Sequence, residues 1–110
     1  MFAICGAYAG NSEQIAKLVE TIKNAPAGSI TATKYAIFDA YCWEHVVVEK
    51  DAKLFLEEYR CSDYHQDTIY RFIIYNGMEK SEISGGHEEF KELITVIDVL
   101  KENKQDVNKI

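Results

Sequence analysis

Cysteine and histidine, three of each, are the residue types best able to carry chemistry in this chain. Cys61, Asp63 and His65 lie close together, with His87 more distant. A Cys-x₃-His spacing with one remote histidine lacks the paired, closely spaced ligands of a tetrahedral zinc site. The segment reads as a surface turn, and no metal is expected. Cys5 and Cys42 sit among apolar and aromatic neighbours and read as small core residues. No short segment sets a nucleophile beside a base, and His45, His65 and His87 fall in a strand, a loop and a helix start. No catalytic residue is assigned, and the chain is not expected to be an enzyme.

Anion binding is the other chemistry the residue order suggests. Gly6 and Gly10 bracket a short loop between an apolar segment at 2–5 and an amphipathic helix marked by Ile15, Leu18, Val19 and Ile22. Gly10, Asn11, Ser12, Glu13, Ile15 and Ala16 resemble the later part of the phosphate-binding loop of flavodoxins, which also follows a first strand and opens a helix. The resemblance covers only that stretch. It implies a flavin phosphate held by loop hydroxyls and backbone N–H groups at a helix N-terminus. Ala7 and Ala9 stand where two such hydroxyls belong, leaving Ser12. The alternating strands and helices of that fold are missing as well. In the competing reading Asn11 or Ser12 caps the helix, Gly10 makes the turn, and no cofactor is bound.

Charge points elsewhere. The formal net charge is −6, and residues 56–110 hold most of it, with twelve acids against seven bases. A negative field repels phosphate backbones and anionic lipid, so neither nucleic acid nor membrane is expected as a partner, and a basic protein is the natural complement. The candidate partner-binding residues are Glu57, Glu58, Asp63, Tyr64, Asp67, Arg71, Tyr75, Glu79, Glu82, Glu88 and Glu89. Tyrosine and arginine supply the large contacts that anchor interfaces, and an acidic rim speeds encounter with a cationic partner. Bacterial toxin-immunity proteins are the obvious class: nuclease-type toxins are basic because they bind phosphate, and a compact acidic domain covers that surface. The alternative is a flavin- or phosphate-binding domain using the loop from Gly6 to Ser12. Oligomeric state has no signature in the sequence.

The elements that must position these residues fit one domain over 1–110, long enough for a real core without staples. Three cysteines cannot all pair, and no secretory leader is apparent, so reduced thiols and a cytoplasmic location are expected. Breakers at Asn24, Pro26 and Gly28 end the first helix near 24 or 25. Alternation from Thr31 to Trp43 predicts a central strand, and the run His45 to Glu49 a second, after a bend at 41–44. Asp51 reads as the N-cap of a second helix over 52–60, with Ala52, Phe55, Leu56 and Tyr59 on one face. Residues 68–75 alternate as a strand, and Asn76-Gly77 predicts a type I′ hairpin returning through 78–83 as an edge. A third helix over 88–103 carries Phe90, Leu93, Ile94, Ile97 and Leu100, and 105–110 is expected to fray. The expected fold class is an α+β sandwich: a mostly antiparallel sheet of about five strands with three helices, in the order β-α-β-β-α-β-β-α.

Overall fold

A computed structural model describes residues 3–37 and 41–103. Helix α1 (Ala3–Asn24) leads into five consecutive strands, β1 (Ile30–Tyr35), β2 (Cys42–Lys50), β3 (Lys53–Ser62), β4 (Thr68–Asn76) and β5 (Glu79–Gly85). One 3₁₀ turn (Glu88–Phe90) then opens helix α2 (Lys91–Asn103). Every neighbouring strand pair is antiparallel and the spatial order is the chain order, a simple meander with β1 and β5 at its edges. The α+β class holds, with two helices rather than three.

Two segments depart from the sequence expectation. Residues 3–10 are helical, so the strand expected at 2–5 and the loop from Gly6 to Gly10 do not exist; Phe2 itself lies outside the described residues. Ala3, Ala7 and Ala9 favour helix, and continuing α1 upstream satisfies backbone groups that an isolated strand would have to pair elsewhere. Residues 53–62, expected as a helix, form the central strand β3. Asp51 and Ala52 take φ of +53° and +66°, both left-handed, and Lys50 pairs with Lys53 across them. Asp51 is therefore the first residue of a two-residue hairpin turn, not a helix cap, and the strand expected to be central, β1, lies at an edge.

The second hairpin has the expected strands but a different turn. Asn76 pairs with Glu79, which makes Gly77 and Met78 the turn residues, and only Gly77 has positive φ, at +65°. That is the pattern of a type II′ turn with glycine first, not type I′.

Both helices cover one face of the sheet. Ile15, Leu18, Val19 and Ile22 of α1, with Leu93, Ile94 and Ile97 of α2, join Val46, Val48, Leu56, Phe72, Ile74 and Ile83 in one core. Phe90, on the 3₁₀ turn, packs against Phe72 with ring centroids 4.8 Å apart. The helical stripes read from the sequence are the ones that bury. Asp39 and residues 105–110 lie outside the described residues, and no described helix is long and apolar enough to cross a membrane.

At one end of this covered face the layers meet through charge. Arg60 Nε donates to Glu58 at 2.7 Å, and its Nη2 donates to Asp98 of α2 at 2.9 Å. Lys101 bonds Glu44 and Asp98. Glu58 is fully buried and its Oε1 has no hydrogen-bond partner. Burial pushes its carboxyl above the ordinary range, against the pull of Arg60.

Candidate functional site

Among the described residues, the side chains on the opposite face of the sheet are not part of the helix-packed core. Antiparallel register carries a row of side chains straight across it: Tyr35 opposite His45, His45 opposite Tyr59, Tyr59 opposite Arg71. His45 lies flat on Tyr59, with centroids 4.2 Å apart and planes 4° from parallel. Tyr35 flanks His45 at 5.9 Å, and the Arg71 guanidinium sits 5.7 Å from the Tyr59 ring centre. Arg71 Nε also donates to Glu82 on β5 at 2.8 Å, which lowers the Glu82 carboxyl below its usual range. Four strands thus carry one row of three rings and a guanidinium, with His45 and Tyr59 stacked at its centre.

The adjacent row runs Thr33, Val47, Glu57, Ile73, Glu82. Glu57 is at its centre and ties the two rows together. Its Oε2 lies 3.2 Å from His45 Nε2, and its Oε1 accepts the Tyr75 hydroxyl at 2.5 Å. Holding that proton beside a carboxylate pushes the Tyr75 phenol up to about 12. Burial, with Glu57 adding to it, also raises the Tyr59 phenol.

One end of this face is closed by a disulfide. Cys42 is bonded to Cys61 across β2 and β3, beside a bulge in which Trp43 is the extra residue. The expectation of reduced thiols is corrected for this pair, and so is the core role given to Cys42: register brings the two sulfurs together although 19 positions separate them. Cys61 is consequently not available to a Cys-x₃-His ligand set. The side chain of Cys5 is not among those described. Tyr35, Tyr41 and Trp43, on and around the β1–β2 connection, are large aromatic residues left exposed.

The eleven residues singled out from the sequence do not lie along one edge. Glu57, Arg71, Tyr75 and Glu82 share the open face just described. Glu58 points the other way, into the core, because β3 alternates and neighbours face opposite sides. Asp63, Tyr64 and Asp67 lie in the β3–β4 connection, where Asp63 Oδ1 accepts the N–H groups of His65 and Asp67 at 2.8 Å each. The pairing of Tyr70 with Gly85 puts Glu88 and Glu89, just after β5, at that same end of the sheet. Glu79 is at the far end, about 27 Å away along β4 at a strand's rise per residue.

His45, Tyr59 and Tyr35 are not among the candidate residues read from the sequence, although Tyr59 stands among the tyrosines of the acidic half. Their signal was one of parity: once 53–62 is a strand, Glu57, Tyr59 and Cys61 share a face. The flavodoxin-like loop loses its basis entirely, since Gly6 to Ser12 are turns of α1. No protein-family model, curated protein or solved structure matches the chain.

Proposed function

We propose that this is a binding domain that covers a basic protein partner with the open face of its sheet, and that a toxin-immunity protein acting on a nuclease-type toxin is the class it fits best. One observation carries this: a Tyr–His–Tyr–Arg row beside a central carboxylate, on a sheet face that no described helix covers. Rigid aromatics and arginine held by neighbours lose little entropy on binding, which is what interface anchors require. The net charge of −6 supplies the long-range attraction for a basic surface and repels nucleic acid.

The cytoplasmic location belongs to the same reading. It asks the Cys42–Cys61 bond to persist against a reducing pool, which few disulfides do.

The test is capture with identification by mass spectrometry, comparing the parent chain with Val47→Arg/Ile73→Arg on the open face and Glu92→Arg on α2. A basic protein retained by the parent and by Glu92→Arg, and lost by the open-face variant, supports the reading. Equal capture by all three, or capture only of acidic proteins, overturns it.

A further inference from the structure

Among the described residues, the open face holds one half-buried carboxylate, Glu57, whose hydrogen-bond partners are an imidazole and a phenol. Three sheet carboxylates are buried or half-buried: Glu44, Glu57 and Glu58. Glu44 pairs with Lys101 and Glu58 with Arg60. Glu57, whose side chain is only 16% exposed, is held by an imidazole and a phenol. One contact to each oxygen orients the carboxylate and leaves part of its lone-pair capacity open. A half-buried charge in this state is costly alone and gains most when a cation is brought to it in a desolvated setting.

We infer that the partner anchors an arginine side chain on Glu57, with the guanidinium meeting the carboxylate beside the Tyr59 and Tyr75 rings. The same face already shows the geometry in miniature, because Arg71 lies against Tyr59 while its guanidinium pairs with a carboxylate, Glu82. A planar guanidinium satisfies a carboxylate and an aromatic surface together, whereas an ammonium is a compact, strongly hydrated point charge. His45 and Tyr75 act as positioning residues: they hold both Glu57 oxygens, so the carboxylate is ordered before the partner arrives. This inference rests on the proposed function and names the contact at the centre of its surface.

The experiment uses the full chain, ¹⁵N-labelled, titrated with Nα-acetyl-arginine amide and separately with Nα-acetyl-lysine amide. The expected result is a saturable set of shifts at the amides of Tyr59, Ile73 and Tyr75, stronger for arginine, with affinity falling about tenfold in Glu57→Gln. Glu57→Gln preserves shape and can still accept from Tyr75, and its unperturbed spectrum elsewhere certifies the fold. Shifts spread evenly over exposed Glu79, Glu88 and Glu89, equal binding to Glu57→Gln, or a preference for lysine would each overturn the arginine anchor. The broader reading stands or falls separately. If Val47→Arg/Ile73→Arg abolishes capture while Glu57→Gln binds arginine unchanged, the face is right and the anchor wrong; if capture survives at the blocked face, the face itself is wrong.

Discussion

Tyr75 on β4 donates its hydroxyl to Glu57 on β3 at 2.5 Å, and the same carboxylate meets His45 on β2 through its other oxygen. One carboxylate therefore links three adjacent strands on the uncovered face. The phenol is held protonated up to about 12, from an ordinary value of 10.0. A folded pKa raised above the unfolded one contributes stability that is complete below about pH 10 and is lost as pH climbs through about 12. Spectrophotometric titration of the phenolates should show a late-ionising tyrosine that moves back toward 10 in Glu57→Gln. Tyr75→Phe should remove that late component while leaving the others in place.

Glu58 gives a second pH dependence, on the covered face. Burial raises its carboxyl above the usual 4.5, while Arg60 opposes that shift. The stability it contributes is full below the ordinary carboxylate value and is lost as pH rises through the elevated one. Urea midpoints measured from pH 4 to pH 8 should therefore show the parent falling relative to Glu58→Gln as pH increases. Arg60 keeps Asp98 in that variant, so the change does not strand a buried cation. A constant difference across the range would mean that Glu58 titrates as an ordinary acid.

Ala52 sits in the left-handed region at φ +66°, where a Cβ is strained. Glycine relieves that strain, although it gives the unfolded chain more freedom. Ala52→Gly should raise stability by about 0.5–1 kcal/mol, read as a higher urea midpoint with unchanged slope. Asp51, at φ +53°, belongs to a residue type that tolerates this region better, so Asp51→Gly should gain less.

The Cys42–Cys61 bond closes a loop spanning 19 positions. Loop-closure entropy puts its contribution at about 3 kcal/mol, so reduction, or Cys42→Ser with Cys61→Ser, should lower stability by about that amount while leaving the meander intact. Alkylation at the moment of cell lysis, followed by intact-mass analysis, reads the state of the pair in its own compartment. Full alkylation of both sulfurs would fit a reducing compartment, and protection would mean either an oxidising compartment or a bond that persists against the reducing pool.

Much of the fold was legible in local pattern. The stripes Ile15, Leu18, Val19, Ile22 and Phe90, Leu93, Ile94, Ile97 are strongly periodic, and both helices bury them. Residues 68–75 alternate clearly, the glycine turn predicts a polar return strand, and β4 and β5 pair antiparallel as expected. Residues 53–62 were illegible for a physical reason. Both faces of β3 carry charge, Glu58 and Arg60 on one side and Glu57 on the other, so period-two hydrophobicity is absent, whereas Ala52, Phe55, Leu56 and Tyr59 mimic a helical stripe. The turn that starts the strand, Asp51-Ala52, lacks the glycine that would announce it.

By itself the sequence determined the class of the domain, the two apolar helix faces, the second hairpin and the negative surface, because each is encoded within a few neighbouring residues. Only the tertiary structure decided which acids share a surface. Pairing β3 between β2 and β4 turned Glu58 into the core and Glu57 outward, and set His45, Tyr59 and Arg71 in one row. It also brought Cys42 to Cys61. Those relationships depend on strand register between residues more than ten positions apart, and register is fixed by the cooperative choice of one sheet rather than by any local propensity.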